Sequence, residues 1–419
     1  MEKFLIAGGR RLQGQIRISG AKNAVLALAP ATLLAPGIHR LGNVPRLRDV
    51  MTMIELLEAL GCTCRLEGRE LLIDTRSISS LRAPQEIVSR MRASFYVLGP
   101  LVARYGYAEV SLPGGCAWGP RPVDLHLTGL QQLGATIEVR DGYVIASATR
   151  LRGTRIELRV SSVGATGNIL MAAALADGET ILHNAAMEPE IVQLGEYLRS
   201  MGAHIEGLGT PTLRIVGVSE LRPASVEVIP DRIEAATFLI AVAATEGEVT
   251  LTDACADHLT AVLEALEAAG CSITTTASSI TLRMETLPRP HPISTAPYPG
   301  FPTDVQAQWT AFMLRAPGTC RITDTIYPDR FQHIPELQRL GARLERQGNS
   351  VLVHGGYPLV GTRVVSRDLR ASAALIIAGL IAEGWTEVID IHHIDRGYEA
   401  IETKLQALGA AIHRVVQGD

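Results

Sequence analysis

The sequence predicts an α/β protein of two similar domains, and three observations support that fold class. An amphipathic helix ending in Leu-Gly-Ala or a close variant, followed by an alternating strand, occurs six times, with its glycines 68–73 residues apart. A second unit, an Ala/Leu-rich helix followed by a glycine and a β-branched strand, interleaves with the first six times. A chain of 419 residues is too long to fold around one ordinary hydrophobic core. We therefore expect six repeats, grouped as three and three.

The glycines of both units are expected to end helices, because a glycine in the left-handed conformation stops a helix and reverses the chain. The first set is Gly61, Gly134, Gly202, Gly270, Gly341 and Gly409, and the second is Gly37, Gly106, Gly178, Gly247, Gly318 and Gly384. The Ala-rich helices, such as 165–176 and 371–382, are apolar on almost every side and should lie inside, between sheets. Their companions, such as 260–269 and 401–408, carry charge on one face and should lie outside.

The boundaries between the two domains are expected near Gly20-Ala21-Lys22 and near Pro230-Asp231-Arg232. Domain one would span residues 22–229, and domain two would combine residues 1–21 with 230–419. The short leader precedes the first Ala-rich helix, so it is free to pair with the C-terminal half. A cleft between two similar domains is a common place for a ligand.

The composition is typical of a soluble globular protein, with 47% hydrophobic and 20% charged residues. A net charge of −4 without basic clusters predicts no nucleic-acid partner. No run of eighteen apolar residues occurs and the apolar N-terminal run is short, so we expect a cytoplasmic protein without membrane or signal segments. The six cysteines lack the spacing of a zinc or redox site and should be reduced thiols.

One loop, residues 112–126, stands out because it holds three Gly and three Pro together with Cys116 and Arg121. A fixed cation lowers the pKa of a nearby thiol and binds anions, so this pair is typical of a reactive centre for a phosphorylated or carboxylated substrate. The alternative is that Cys116 is a small buried hydrophobic residue, as free cysteines often are. Only three of the 39 basic residues are lysines, so Lys22 is a candidate for a role that needs a compact ammonium.

Seven segments of the chain resemble the MurA family of enolpyruvyl transferases, in order and over essentially its full length. These segments are 20–24 (GAKNA), 113–126, 162–166 (SVGAT), 230–234 (PDRIE), 301–304 (FPTD), 368–372 (DLRAS) and 393–398 (HIDRGY). The resemblance implies an inside-out α/β barrel of two domains, each with three βαβαββ units. It also implies transfer of the enolpyruvyl group of phosphoenolpyruvate (PEP) to the 3′-hydroxyl of UDP-N-acetylglucosamine, releasing phosphate, at the first committed step of peptidoglycan synthesis. The family needs no metal or redox cofactor for this addition–elimination through a tetrahedral intermediate.

The resemblance also implies catalytic roles. Cys116 matches the cysteine that acts as general acid, forms an adduct with PEP and is the target of the antibiotic fosfomycin. Asp304 matches the base at the sugar hydroxyl, although an Asp after Pro-Thr otherwise caps a helix. Lys22, Arg121 and Arg396 match the cations around PEP, and Arg370 and Arg232 are further candidate cations.

The nucleotide sugar is expected along domain one. The matching positions are Asn23, Arg92, Arg121, Pro122, Val123, Asp124, Leu125, Ser162, Val163 and Gly164, with Ile326 as a backbone contact. Residues 162–164 stand where a helix begins, so their N–H groups could hold a diphosphate. Glu188 and Glu190 flank Pro189 at another helix start, where acidic residues are favourable for structural reasons.

Three segments depart from the family pattern: Trp118 in the loop, Met187, and the run 327–330. We expect Trp118 to affect the mobility of the loop and, through it, the sensitivity to fosfomycin. None of the three departures removes a catalytic group. One alternative is the sister enzyme acting on shikimate 3-phosphate, which would lack Cys116 and the Lys22-Asn23 pair as they stand here. Another is a paralogue that binds the nucleotide sugar without turnover. The sequence does not predict the oligomeric state.

Overall fold

The computed structural model describes residues 2–112 and 123–416, and the chain divides into two compact units. Domain one is Gly20–Ile229, and domain two combines Met1–Ser19 with Pro230–Asp419. Each domain contains three four-stranded sheets.

The described residues form 24 strands and 13 α-helices. The strands are β1 (Glu2–Ala7), β2 (Gln13–Arg17), β3 (Ile38–Gly42), β4 (Thr63–Glu67), β5 (Glu70–Asp74), β6 (Arg82–Ala83), β7 (Tyr107–Ser111), β8 (Thr136–Arg140), β9 (Tyr143–Ser147), β10 (Arg155–Glu157), β11 (Glu179–His183), β12 (His204–Glu206), β13 (Thr212–Val216), β14 (Ser225–Glu227), β15 (Glu248–Thr252), β16 (Ser272–Thr275), β17 (Ser279–Arg283), β18 (Ile293–Ser294), β19 (Gly318–Thr323), β20 (Arg343–Gln347), β21 (Ser350–Gly355), β22 (Arg363–Val365), β23 (Trp385–Ile389) and β24 (Ala411–Val416). The helices are α1 (Lys22–Ala31), α2 (Arg48–Ala59), α3 (Gln85–Val88), α4 (Leu98–Tyr105), α5 (Asp124–Gln132), α6 (Val163–Ala173), α7 (Pro189–Ser200), α8 (Arg232–Ala244), α9 (Thr260–Ala269), α10 (Gln306–Met313), α11 (His333–Arg339), α12 (Leu369–Ile381) and α13 (Ile401–Ala407).

All six sheets share one topology. In the sheet β6-β7-β9-β8, β6 runs parallel to β7 after a helical connection, and β8 and β9 form an antiparallel hairpin whose second strand pairs with β7. The parallel pair requires the crossover helix, whereas the hairpin needs only a tight turn. The other five sheets repeat this order, so the predicted architecture of six βαβαββ repeats is confirmed.

Three strands each join a sheet whose other strands come from a distant part of the chain. In domain one, β14 is the parallel neighbour of β3 and serves as the first strand of the first repeat. In domain two, β2 is parallel to β15 and begins the fourth repeat. Strand β1 lies between β23 and β24, antiparallel to both, and completes the sixth repeat. The leader therefore pairs with strands of domain two.

The helix that precedes the second strand of each repeat is the inner helix, and it is buried on nearly all sides. In α6 every residue from Ala165 to Ala173 is buried, and in α12 every residue from Arg370 to Leu380 is buried. The second helix of each repeat is amphipathic: α9 buries Val262, Leu266 and similar residues but exposes its charged positions. This confirms the predicted inner and outer helices. Among the described residues, no helix has the length and apolarity to cross a membrane.

The six glycines of the first set follow helix ends as predicted, whereas in the second set only Gly106 directly caps a helix. All six of the first set have φ between 93° and 114°, and five of the second set also have positive φ. The exception is Gly247, because Glu246 takes the left-handed position after α8, with φ 54°. Gly247 is needed for another reason: a Cβ there would lie 2.0 Å from the carbonyl oxygen of Leu12, just before β2.

Candidate functional site

Most of the described site residues predicted from the sequence lie at the starts of the inner helices or in the turns that lead into them. In domain one, Lys22 is the first residue of α1, Arg92 begins the 3₁₀ turn that leads into α4, and Ser162 is the N-cap of α6. In domain two, Arg232 is the first residue of α8, Asp304 lies in the 3₁₀ turn before α10, and Arg370 is the second residue of α12. Free N–H groups and the helix dipole favour anions at such positions.

Lys22 is buried, and its ammonium lies 3.2 Å from a carboxylate oxygen of Asp49, which is itself 3% exposed. Asn23 follows it and is half-buried. The first turn of α1 contains no acidic residue, so the positive end of the helix adds to the lysine charge. Asp49, from α2, was not predicted as part of the site.

The start of α6 is built to leave its backbone donors accessible. The Ser162 hydroxyl accepts a hydrogen bond from the N–H of Ala165 over 3.3 Å, and the first turn contains no acidic side chain. Val163 is 36% exposed, and Gly164 is half-buried. The N–H groups of these two residues are therefore placed to meet an anionic ligand.

The start of α5 lies against this segment. Val123 is the buried residue before α5, Asp124 is its exposed first residue, and Leu125 is partly buried. Asp124 accepts a hydrogen bond from the Arg159 guanidinium over 2.5 Å, and this contact holds the pKa of the carboxyl below its usual value. The pair is largely exposed, so it orients the two segments more than it stabilises them.

His126 is a further residue of this region that was not predicted. Burial, together with the nearby charge of Arg92, lowers the pKa of its imidazole to about 3. The ring packs directly on the start of α6: a Cβ at Gly164 would lie 2.9 Å from its Cε1 and Nε2 atoms. His126 therefore packs against the anion-accepting end of α6, close enough to Arg92 for the charge of that guanidinium to disfavour protonation of the ring.

In domain two, Asp304 is held between two guanidinium groups. Its Oδ1 accepts from Arg330 over 2.6 Å, and its Oδ2 accepts from Arg370 over 2.8 Å. Burial opposes ionisation of Asp304, but the charges and hydrogen bonds of Arg370 and Arg330 outweigh it and hold the pKa well below its usual range. The carboxylate is consequently ionised at every pH at which the protein is expected to work.

This geometry rules out the alternative that Asp304 is a helix cap. Neither the 3₁₀ turn Thr303–Val305 nor α10 has a side-chain cap hydrogen bond. The side chain instead faces the two arginines and remains 25% exposed. A carboxylate with so low a pKa accepts hydrogen bonds strongly but takes up a proton only when its ion pairs loosen.

Asp324 is fully buried and joins two segments, the turn that carries Asp304 and the loop that carries Ile326. Its Oδ1 accepts from the N–H groups of Ile326 and Tyr327, over 3.0 and 2.7 Å. Its Oδ2 accepts from the Thr303 hydroxyl over 2.7 Å, and that hydroxyl accepts from Arg330 over 3.1 Å. The loop that carries Ile326 and the turn that carries Asp304 are thus tied to one carboxylate.

The remaining predicted cations occupy separate positions. Arg396 is partly buried and ends the 3₁₀ turn Ile391–Arg396. The guanidinium of Arg232 lies over the ring of Tyr298, 5.6 Å from its centroid. Glu188 and Glu190 do flank the Pro that begins α7, as predicted. Cys116, Trp118, Arg121 and Pro122 lie outside the described residues.

Sequence reasoning missed Asp49, His126, Asp324 and Arg330. Arg330 belongs to the run that was noted for departing from the family pattern, so a signal was present. Asp49 carries no local signal, because its partner Lys22 belongs to another helix. Asp324 binds the nearby N–H groups of Ile326 and Tyr327, but its link to Thr303 joins distant segments. Among the described residues, no cluster of three or more His, Cys, Asp or Glu side chains could hold a metal ion.

Comparison with known proteins gives a consistent result. Residues 6–405 match the EPSP synthase (3-phosphoshikimate 1-carboxyvinyltransferase) family. The UDP-N-acetylglucosamine 1-carboxyvinyltransferase of Chloroherpeton thalassium is 54% identical, with 99% of this chain and 97% of that protein covered. The protein of the same name from Halorhodospira halophila is 51% identical, with coverages of 99% and 100%.

Solved structures show the same architecture. The enolpyruvyl transferase NikO from Streptomyces tendae superimposes with a TM-score of 0.90 at 27% identity, covering 100% of this chain and 99% of that one. An EPSP synthase from Acinetobacter baumannii gives a TM-score of 0.77 at 18% identity, covering 99% and 100%, which indicates a shared fold.

Proposed function

Because this chain belongs to the UDP-N-acetylglucosamine 1-carboxyvinyltransferase family, we propose that it transfers the enolpyruvyl group of PEP to the 3′-hydroxyl of UDP-N-acetylglucosamine. Phosphate is the other product, and the reaction is the first committed step of peptidoglycan synthesis. The observation that carries the proposal is the 54% identity to an enzyme of this name over 99% of the chain. The charged starts of the inner helices support it, since both substrates are anions.

The PEP subsite needs cations for a carboxylate and a phosphate. We assign Lys22, Arg121 and Arg396 to this role, and Arg232 and Arg370 are further cations at helix starts. Asp49 keeps the ammonium of the buried Lys22 paired at 3.2 Å in the described structure. A lysine whose charge is partly balanced costs less to bury and remains available to an incoming anion.

The nucleotide-sugar subsite uses domain one. The N–H groups of Val163 and Gly164 bind the diphosphate, and Arg92 adds a positive charge near them. Residues 121–125 and Asn23 contact the uridine and the sugar. The backbone of Ile326, held by Asp324, contacts the sugar from its own loop.

The chemistry proceeds in two steps. In the addition, the 3′-oxygen bonds to C2 of PEP, Cys116 delivers a proton to the methylene carbon, and the hydroxyl proton passes to a base, forming a tetrahedral ketal. In the elimination, a proton leaves the new methyl group as the C2–phosphate oxygen bond breaks, which regenerates the double bond and releases phosphate. We assign Asp304 as the hydroxyl acceptor, and proton uptake there requires one of its two arginine contacts to loosen.

The sister reaction on shikimate 3-phosphate is less well supported. The solved EPSP synthase shares the fold at 18% identity, whereas the relatives that use UDP-N-acetylglucosamine are above 50% identical. We also propose a cytoplasmic location, where both substrates are made.

The test is phosphate release from PEP, measured with and without UDP-N-acetylglucosamine, for the wild type and for Cys116→Ala. Release should require the sugar nucleotide and should collapse in Cys116→Ala. Cys255→Ala, at a partly buried free cysteine of domain two, is the matched control and should retain activity. A wild type that binds the nucleotide without releasing phosphate would be a binding paralogue, and normal turnover of Cys116→Ala would refute the assigned acid.

A further inference from the structure

The hydroxyl of Tyr398 lies at the buried end of the Asp304–Arg370 pair. Tyr398 is 1% exposed, and its oxygen is 3.2 Å from one terminal nitrogen of Arg370. It is also 2.8 Å from the hydroxyl of Thr237 and 3.2 Å from Nε2 of Gln308. Three side chains from three inner helices, α8, α10 and α12, thus meet at one phenol oxygen.

The direction of each hydrogen bond follows from the partners. The Thr237 hydroxyl donates to the backbone carbonyl of Ile233 over 2.8 Å, so its oxygen is left to accept from Tyr398. The single Tyr398 proton is therefore used, and its oxygen accepts from Arg370 and Gln308. Every donor and acceptor of this hydroxyl is satisfied, which is required for a polar group so deeply buried.

These hydrogen bonds fix the orientation of the Arg370 guanidinium. One terminal nitrogen of Arg370 donates to Asp304 and the other to Tyr398, so the planar group is held at both ends. Gln308 adds a second link, because its Nε2 also donates to the backbone carbonyl of Asp304 over 2.9 Å. Both the carboxylate and the backbone of Asp304 are thus tied to the group of residues around Tyr398.

We propose that Tyr398 is a positioning residue for the reaction: its hydroxyl holds Arg370 in the orientation in which that arginine pairs with Asp304. The inference rests on the proposed function, because Asp304 and Arg370 are assigned to that reaction. Tyr398 also follows Arg396 by two residues, so the same hydroxyl anchors the chain next to a proposed PEP cation.

The decisive variant is Tyr398→Phe, which keeps the ring and removes only the hydroxyl. We expect kcat to fall about tenfold, because a misplaced catalytic group affects the transition state. The KM for UDP-N-acetylglucosamine should stay within about twofold of the wild type, since the residues assigned to the uridine and the diphosphate are in domain one and the loop of Ile326 is held by Asp324 rather than by Tyr398. Tyr197→Phe is the matched control: Tyr197 is equally buried, at 1%, and its hydroxyl contacts His39 in domain one. It should change kcat by less than about twofold.

Action through Arg370 is tested by combining variants. In Arg370→Lys, a single ammonium replaces the two terminal nitrogens of the guanidinium and cannot occupy both of their positions. It therefore cannot donate to Asp304 and Tyr398 at once as arginine does, so kcat should fall. Adding Tyr398→Phe to that variant should cause no further loss, because the two changes break the same contact. Thr237→Val, which removes the acceptor of the Tyr398 proton, should lower kcat in the same direction and serves as the test if Tyr398→Phe does not fold.

The outcomes separate this inference from the proposed function. Full activity of a folded Tyr398→Phe, or of Thr237→Val if that is the variant that folds, would overturn the positioning role, as would additive losses in the double variant. A wild type that releases no phosphate from PEP in the presence of UDP-N-acetylglucosamine would instead refute the proposed function itself.

Discussion

The side-chain amide of Asn168 donates a hydrogen bond to Nδ1 of His126 over 2.8 Å, and this contact fixes the position of the imidazole proton. The orientation of the amide is set by the backbone: its oxygen accepts from the N–H of Gly99, and its nitrogen also donates to the carbonyl of Phe95. Nδ1 of His126 is therefore an acceptor, and the proton is on Nε2, next to Gly164. His126 presents a neutral N–H donor at the start of α6.

The neutral His126 predicts a loss of stability in acid. Its pKa is about 3 in the folded protein and 6.5 in an unfolded chain, so below pH 6.5 the unfolded state binds the extra proton. The stabilisation is complete above pH 6.5 and should decline by about 2 kcal/mol between pH 6.5 and pH 5. In His126→Asn, urea unfolding should show a correspondingly smaller dependence on pH. His413→Asn, at an exposed strand position, should keep the wild-type dependence.

Removing the charge of Asp304 should affect both activity and stability. Asp304→Asn leaves the buried Arg370 without its counter-ion, so we expect phosphate release to fall about a hundredfold or more. The free energy of unfolding should drop by about 1–3 kcal/mol, less than for a fully buried pair because Asp304 is partly exposed. Asp253→Asn breaks the exposed contact with Arg17 and should change neither quantity appreciably. Wild-type turnover in Asp304→Asn would contradict the assignment.

Asp324 should control affinity for the nucleotide sugar through the loop of Ile326. Asp324→Ala removes four acceptor contacts, to the N–H groups of Ile326 and Tyr327 and to the hydroxyls of Thr303 and Thr295, and we expect the KM for UDP-N-acetylglucosamine to rise about tenfold. Asp324→Asn retains an oxygen for the N–H groups of Ile326 and Tyr327 and changes only the side that faces Thr303. Its KM should therefore lie closer to the wild type. Equal KM values for the two variants would show that the backbone contacts are not what matters.

The buried carboxylate of Glu234 pairs with the partly buried ammonium of Lys404, and both contact Ser19, at the end of the leader. Burial raises the pKa of Glu234 despite the nearby Lys404. Lys404→Met should destabilise the protein by about 3 kcal/mol, since it leaves the buried carboxylate without its counter-ion, although the Ser19 N–H still donates to it. Because the pKa of Glu234 is raised in the folded protein, this carboxyl contributes most to stability below its unfolded pKa of 4.5, and its contribution falls as pH rises. Lys404 lowers that pKa, so its removal enlarges the effect. The loss of stability in Lys404→Met should therefore be larger at pH 8 than at pH 5.

The double variant Lys404→Met/Glu234→Gln is the control for that pair. Replacing both charges should recover much of the lost stability and remove the added dependence on pH. Urea unfolding at the two pH values measures both effects. A double variant as unstable as Lys404→Met alone would show that the lost packing of the lysine side chain, rather than the unpaired charge, causes the destabilisation.

The sequence predicted the repeats, the inner helices and the family well because these depend on local patterns. A glycine after a helix or a helix without polar positions is recognisable from a few neighbouring residues. The contacts of Tyr398 are different, since they join residues 28 to 161 positions apart in the sequence, and Asp324 likewise accepts from Thr303, 21 positions away. The helix-cap alternative for Asp304 failed for the same reason: the local pattern favours a cap, but two distant arginines bind the carboxylate more strongly.

The exchange of strands between distant parts of the chain sets an order of assembly during synthesis. Domain one is continuous from Gly20 to Ile229, so it can fold once those residues have left the ribosome. Domain two cannot fold so early, because its strand β1 lies between β23 and β24, and Lys3 in β1 pairs with Val415 in β24. Strand β1 thus waits until β23 and β24 have been synthesised, whereas β2 can pair as soon as β15 has left the ribosome. The sheet that contains β1 closes only after β24 has been synthesised.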